Sequence, residues 1–180
     1  LFGYVTFRTA FASLSALFIS IWLGPWLIRK LREFQIGQHI REEVTNHQKK
    51  AGTPTMGGII IIISTVAGYF LAHFATQKPV TASALLIIGL VFGLGLVGFI
   101  DDYLKVSRQN SRGISGKTKI LGQVIFASAF GYLGLQFPDG DGLTPLSKNL
   151  STVRDTGITL GVILVIIWIA LMITATSNGV

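Results

Sequence analysis

The sequence predicts an all-α fold in which apolar helices cross a membrane several times. Half of the 180 residues are hydrophobic, 13% are charged, and the mean hydropathy is +0.61. Soluble domains carry about twice that share of charge. The apolar residues also fall into long stretches separated by polar loops. A stretch of about 20 apolar residues is long enough to cross the hydrocarbon core as a helix, so we expect a polytopic membrane protein.

Five apolar stretches predict the positions of the helices. We expect transmembrane helices near residues 6–28, 57–75, 80–100, 120–137 and 157–176. Trp22 and Trp26 lie near one end of the first stretch, as is typical of side chains at a membrane interface. In the third stretch, Gly89 and Gly93 have the spacing that permits close helix packing. The fourth stretch is weaker because Gln123 and several Ser and Gly residues dilute it, and the fifth is the most hydrophobic.

Two basic loops determine the predicted topology. Of the 15 Lys and Arg residues, six lie within residues 29–55 and five within residues 101–119. Because Lys and Arg are enriched in cytoplasmic loops, we expect both loops inside the cell, the N-terminus outside and the C-terminus in the cytoplasm. We interpret residues 1–180 as a single transmembrane helical domain. The chain has no cysteine, which excludes disulfides and thiolate metal sites.

Two adjacent carboxylates, Asp101 and Asp102, directly follow the third apolar stretch. Neighbouring carboxylates repel each other, and a divalent cation relieves that repulsion. Mg²⁺ prefers hard oxygen ligands, typically carboxylates together with substrate phosphates. The alternative is that the pair only marks the water-facing end of a helix, where successive side chains point about 100° apart. The residues alone leave both interpretations open.

A second polar stretch, residues 49–58, reads Lys-Lys-Ala-Gly-Thr-Pro-Thr-Met-Gly-Gly. Its glycines and proline predict a loop. Lysines, hydroxyls and backbone amides together can hold phosphate oxygens, although the residue order of a P-loop is absent. An ordinary basic loop beside the membrane is the alternative. The predicted topology brings this loop, the aspartate pair and the C-terminal residues 177–180 to one cytoplasmic face.

A cytoplasmic face with paired carboxylates and many lysines favours phosphoryl transfer from a diphosphate. The membrane setting indicates that the acceptor is a lipid phosphate. A transporter is the rival interpretation, but its acidic residues would lie nearer the middle of the membrane, where these stretches have none. A structural membrane subunit is a third candidate that leaves the aspartates unexplained. No basic stretch interleaved with aromatic residues indicates a nucleic-acid partner.

Both motifs resemble those of the phospho-N-acetylmuramoyl-pentapeptide transferases of bacterial cell-wall synthesis, members of the polyprenyl-phosphate sugar-1-phosphate transferase superfamily. Residues 49–58 and 98–105 fall at family-like spacing, and residues 36–41 fit as well. The Thr-Pro-Thr-Met-Gly-Gly run favours this branch over the other sugar-phosphate transferases. The resemblance implies transfer from UDP-N-acetylmuramoyl-pentapeptide to undecaprenyl phosphate, giving lipid I and UMP. It also implies Mg²⁺ as cofactor and a multi-pass protein of the bacterial inner membrane, with the site on its cytoplasmic face.

The same resemblance implies roles for particular residues. Asp101 and Asp102 match the family's catalytic and metal-binding aspartates, one of them acting as a base or as a nucleophile. Residues that match positions near the substrate phosphates or the nucleotide are Lys50, Thr53, Thr55, Lys105, Lys117 and Asn178.

Members of the family have about ten transmembrane helices and usually form homodimers. The chain begins with Leu, and we expect it to be the N-terminal half of such an enzyme, inactive alone. A further metal-binding aspartate is expected beyond residue 180. The partners that the resemblance implies are the two substrates, the lipid bilayer and a second copy of the chain.

Overall fold

The computed structural model describes residues 4–33, 56–108, 113–138, 142–151 and 155–178. These residues form five helices and one two-stranded hairpin, in the order α1 (Val5–Glu33), α2 (Gly58–Thr76), α3 (Ala82–Ser107), α4 (Gly116–Gly134), β1 (Asn149–Ser151), β2 (Asp155–Thr159) and α5 (Val162–Asn178).

Three helices of the described chain, α1, α2 and α3, are long and apolar enough to cross a membrane. Helix α5 is apolar too, but at 17 residues it is shorter than the usual span. The described chain is therefore mostly helical, as expected, and its apolar helices are consistent with a membrane protein. The count of five crossings, their orientation and the single-domain organisation stay predictions.

Helix α3 runs past residue 100, where the sequence predicted its end, and continues to Ser107. Residues 101–107 contain no Gly or Pro to break the helix. Helix α4 likewise begins earlier than predicted, at Gly116, and ends at Gly134. The second basic loop is therefore shorter than residues 101–119. The aspartate pair lies within the last two turns of α3 rather than at the start of a loop.

The fifth predicted helix also differs at its start. Strand β2 occupies residues 155–159 and pairs antiparallel with β1, so that Asn149 is opposite Thr159. Thr156, Ile158 and Thr159 are β-branched and favour an extended backbone. Gly157 has a φ of +69°, which an α-helix does not accommodate. Helix α5 consequently begins at Val162.

The described residues form two compact units. The first unit lies within Leu1–Pro79 and Gly98–Ser115, and the second within Val80–Val97 and Gly116–Val180. In the first unit, α1 packs against α2. A row of small buried residues, Ser64, Gly68 and Ala72, follows one face of α2.

The two helices of the first unit approach each other closely at Gly68. A Cβ atom at Gly68 would lie 2.7 Å from the backbone oxygen of Ala12 and 2.9 Å from Cβ of Ala16. Small residues at every fourth position allow membrane helices to bring their backbones this near. The α1–α2 contact therefore depends on the absence of a side chain at Gly68.

In the second unit, the first part of α3 packs against α4. A Cβ atom at Gly93 would overlap the ring of Phe126, whereas one at Gly89 would meet no described atom within 4 Å. Of the two glycines that the sequence marked for packing, Gly93 alone has a close neighbour in the described chain. Helix α4 also packs against α5, where Gly131 lies next to Ile166.

Candidate active site at the aspartate pair

Asp101 and Asp102 share a single cation on α3, the ammonium group of Lys105. Its Nζ lies 2.5 Å from Oδ2 of Asp101 and 3.3 Å from Oδ1 of Asp102. Residues three and four positions apart meet on a helix surface, so one lysine can bridge two carboxylates that point about 100° apart. The Asp101 side chain is 16% exposed and that of Asp102 is 34% exposed. Asp101 is thus the more buried member of the pair.

Each carboxylate also accepts a hydrogen bond from a backbone N–H group outside α3. The N–H of Ile114 donates to Oδ1 of Asp101 at 2.8 Å, and the N–H of Met56 donates to Oδ2 of Asp102 at 3.3 Å. One oxygen of each carboxylate is therefore held by an amide, and the other oxygen faces Lys105. The two remaining oxygens converge on one cation.

Met56, which holds Asp102, has an unusual backbone conformation. Its φ is +69° and its side chain is buried, with 7% of the residue exposed. The left-handed region costs a non-glycine residue about 1 kcal/mol or more, and such strain often occurs at functional sites. The N–H of Ile59 donates to the oxygen of Met56 at 3.2 Å, which ties this turn to the start of α2.

The residue before Ile114 lies directly against the pair. A Cβ atom at Gly113 would overlap the carboxylate of Asp101 and would lie 2.9 Å from Cε of Lys105. The absence of a side chain at Gly113 therefore allows the backbone to reach Asp101.

The aspartate pair meets some of the requirements of a divalent-cation site. Oδ2 of Asp101 and Oδ1 of Asp102 already converge on an ammonium group, and hard oxygen ligands suit Mg²⁺. Among the described residues, no three His, Cys, Asp or Glu side chains cluster. The described residues therefore offer two carboxylates as ligands for a hard cation at this point.

The other predicted binding residues are either outside the described residues or in the second unit. Lys50, Thr53 and Thr55 fall outside the described residues. Lys117 is exposed in the first turn of α4, and Asn178 is the last residue of α5; both belong to the second unit. From the predicted set, the first unit brings together Asp101, Asp102 and Lys105.

Asn178 is held by a buried amide on α4. Its Nδ2 donates to Oε1 of Gln123 at 2.6 Å and to the backbone oxygen of Thr174 at 2.8 Å. Gln123 is 2% exposed, and its Nε2 donates to Oγ of Ser177 at 2.9 Å. Gln123 therefore fixes the C-terminal end of α5, where the predicted nucleotide-binding residue lies.

Comparison with known proteins supports the resemblance that the sequence motifs indicated. The family signature described as "Phospho-N-acetylmuramoyl-pentapeptide-transferase signature 1" matches residues 50–62. A phospho-N-acetylmuramoyl-pentapeptide-transferase of Frankia alni is 46% identical over 94% of this chain and 48% of its own length. The chain is a relative of these transferases. The transferase of Streptomyces avermitilis is 45% identical over 94% of the chain, and that of Thermobifida fusca is 46% identical over 92%.

The chain spans about half the length of the curated transferases that it matches. Because the match to the Frankia alni transferase leaves out only 6% of this chain, it necessarily includes residues 56–114, where the aspartate pair and its amide donors lie. The transferase signature itself ends inside α2 and includes Met56.

Sequence reasoning missed three residues around the aspartate pair, Met56, Gly113 and Ile114, and one residue beside Asn178 in the second unit, Gln123. Met56 and Ile114 act through backbone N–H groups, which every non-proline residue has, so residue type gives no signal. Neither motif singles out Gly113, because its role depends on the close approach of its backbone to Asp101 in the folded structure. Gln123 gave a usable signal, because a polar side chain in an otherwise apolar stretch is costly unless it is bonded.

Proposed function

We propose that this chain is part of an enzyme that transfers phospho-N-acetylmuramoyl-pentapeptide from its UDP conjugate to undecaprenyl phosphate, giving lipid I and UMP. The observation that carries the proposal is the contact between the matched signature and the aspartate pair. Met56, inside residues 50–62, donates its N–H to Asp102. The named function of the relatives and the apolar helices agree with a lipid acceptor in peptidoglycan synthesis.

The transfer would form a bond between an oxygen of the lipid phosphate and the sugar-bearing phosphorus of the diphosphate. The bridging P–O bond breaks, and UMP leaves with the electron pair. Asp101 or Asp102 would take a proton from the lipid phosphate or, in a two-step transfer, attack the phosphorus first. Lys105, together with Lys50 and Lys117, would hold phosphate oxygens by charge-assisted hydrogen bonds.

We propose Mg²⁺ as the cofactor, which the carboxylates of Asp101 and Asp102 would hold. Their convergence on Lys105 supports this assignment. A further aspartate from beyond residue 180 and the substrate phosphates would complete the coordination. When bound, the ion would neutralise charge that develops on the diphosphate. Thr53, Thr55 and Asn178 complete the proposed binding residues for phosphate and nucleotide.

The proposed setting is the inner membrane of a bacterium. Five crossings would place the N-terminus outside and the aspartate pair at the cytoplasmic face, where UDP conjugates are available. The apolar character of α1, α2, α3 and α5 and the positions of the basic residues support this topology. A homodimer is the proposed assembly, on the basis of the family resemblance.

The decisive experiment measures UMP release by the full-length protein in detergent. The assay contains undecaprenyl phosphate, Mg²⁺ and either UDP-N-acetylmuramoyl-pentapeptide or UDP-N-acetylglucosamine. We expect release with the muramoyl-pentapeptide substrate and a loss of at least about a hundredfold in Asp101→Asn, because the variant lacks the charged carboxylate. Glu33→Gln is the matched control, since Glu33 is an exposed carboxylate paired only with Lys30 among the described residues.

The other outcomes separate the rival functions. UMP release with UDP-N-acetylglucosamine alone would assign the protein to another branch of the sugar-phosphate transferases. Release with neither donor would reject the transferase proposal and favour a transporter. Equal activity of Asp101→Asn and the wild type would show that the reaction does not need the Asp101 carboxylate.

A further inference from the structure

We propose that Gly113 and Ile114 are positioning residues that set the orientation of the Asp101 carboxylate. The N–H of Ile114 holds Oδ1, and the glycine before it allows the backbone to come close enough to do so. Oδ2 is then directed toward Lys105 and the facing oxygen of Asp102. The inference rests on the proposed transferase function and assigns residues to it that the motifs do not include.

An unrestrained carboxylate would not hold this orientation. The terminal torsion of an aspartate is broad and roughly two-fold, so its two oxygens exchange places readily. Lys105 restrains only one oxygen, and a lysine side chain has several rotatable bonds. A backbone N–H at 2.8 Å adds a second, rigid restraint on the other oxygen. With both restraints, the two oxygens of Asp101 acquire distinct roles.

The two aspartates are not held equally. The amide bond to Asp101 is 2.8 Å long, whereas that to Asp102 is 3.3 Å. Asp101 is also the more buried side chain, at 16% exposure against 34%. Because a hydrogen bond gains strength away from water, the Ile114 contact restrains its carboxylate more firmly than the Met56 contact does. The geometry therefore identifies Asp101 as the better-positioned member of the pair.

Gly113 is required for space rather than for backbone conformation. Its φ lies outside the left-handed region, so an alanine is compatible with the backbone. The atoms that an alanine Cβ would meet belong to Asp101 and Lys105. The side chain that must move is therefore Asp101 itself. Gly116 offers a matched control, because a Cβ there meets no described atom within 4 Å.

The experiment compares Gly113→Ala with Gly116→Ala in the full-length protein in detergent. Amide hydrogen exchange of the peptide that contains Ile114 reports the contact, UMP release gives kcat and KM, and thermal unfolding reports stability. We expect faster exchange at Ile114 and a fall in kcat of about tenfold to a hundredfold in Gly113→Ala, the range for a lost hydrogen bond to a charged group. KM for the UDP conjugate and the unfolding temperature should stay near those of Gly116→Ala.

A merely structural contact would give a different pattern. Lower stability with an unchanged kcat for the folded enzyme, or a change confined to KM, would overturn the proposal. If Gly113→Ala does not fold, Ile114→Pro removes the donor without adding an atom at position 113, and the same fall in kcat is expected. An unchanged kcat in that variant would also overturn the proposal.

The failure of the transferase proposal would be recognised separately. A wild-type protein that releases no UMP rejects the proposed function, whichever variant is compared. The positioning contact is still tested in that case, because Asp101→Ala removes the acceptor and should speed exchange of the Ile114 amide. Unchanged exchange in Asp101→Ala would overturn the contact itself.

Discussion

Lys105 is the residue that allows two aspartates to lie side by side at the end of an apolar helix. It contacts one oxygen of each carboxylate and so offsets part of the repulsion between them. Removing the ammonium would leave two partly buried carboxylates to repel each other. Lys105 therefore occupies the position that a divalent cation would favour.

Replacing Lys105 with glutamine should change cation affinity and activity in opposite directions. Without the competing ammonium group, Lys105→Gln should bind Mn²⁺ about threefold to tenfold more tightly, a modest effect because solvent screens the site. UMP release should fall, because the variant lacks the proposed donor to the substrate phosphates. Electron paramagnetic resonance of free Mn²⁺ measures the binding. Lys30→Gln is the control, because Lys30 is exposed and pairs with Glu33. The prediction would be contradicted if Lys105→Gln bound Mn²⁺ more weakly than the wild type while Lys30→Gln bound it equally well.

Only part of the site was predictable at the residue scale. Asp101 and Asp102 stand out in the sequence because charge is rare beside an apolar stretch. The N–H donors of Met56 and Ile114 do not, since their role depends on where the backbone runs in three dimensions. The close approach of Gly113 to Asp101 is equally a product of tertiary structure.

At the scale of the elements, helix contacts depend on glycines whose neighbours the sequence does not specify. Gly68 lies against the backbone of α1 and Gly93 against Phe126, whereas Gly89 has no close neighbour in the described chain. The spacing of four residues predicts which positions share a helix face. It does not predict which face meets another helix.

Gly68→Ala should destabilise the α1–α2 pair. The added Cβ would lie 2.7 Å from the backbone oxygen of Ala12, and overpacking of this kind costs about 1–3 kcal/mol. Thermal unfolding of the purified protein in detergent measures the effect. Gly89→Ala adds the same atom to a membrane helix without a described neighbour and should leave the unfolding temperature unchanged. Equal unfolding temperatures for the two variants would show that α1 and α2 do not pack as described.

The long helices follow from hydropathy, but the hairpin does not. Apolar stretches of about 20 residues leave few alternatives to a helix in lipid. The hairpin β1–β2 lies in a polar connection, where short strands give a weak pattern and pairing decides the structure. The end of α3 was missed because charged residues at positions 101 and 102 resemble the start of a loop, although both are compatible with a helix.

At the scale of the whole molecule, the topology is the main prediction that can be tested directly. The sequence contains no cysteine, so single cysteines can report the side of the membrane. Lys78 lies in the turn between α2 and α3, and Ser107 ends α3; both are exposed. If the basic loops are cytoplasmic, the two positions lie on opposite sides of the membrane.

The measurement uses a membrane-impermeant maleimide on spheroplasts that express cysteine-free full-length protein with one added cysteine. Lys78→Cys should be labelled in intact spheroplasts, and Ser107→Cys only after the membrane is opened. The reverse pattern would invert the proposed topology and would remove the aspartate pair from the cytoplasmic face. Labelling of both positions in intact spheroplasts would show that α3 does not cross the membrane.

The unbroken course of α3 has a consequence for how the protein responds to its lipids. With a rise of about 1.5 Å per residue, Asp101 lies about 28 Å along the helix from Ala82, close to the ~30 Å thickness of the hydrocarbon core. Because no loop intervenes between the span and the carboxylates, the length of the helix fixes their depth. Longer acyl chains would draw the pair toward the hydrocarbon, and shorter ones would raise it into the headgroup layer. If the proposed function holds, bilayer thickness would therefore control how the aspartates reach the phosphate of the lipid acceptor.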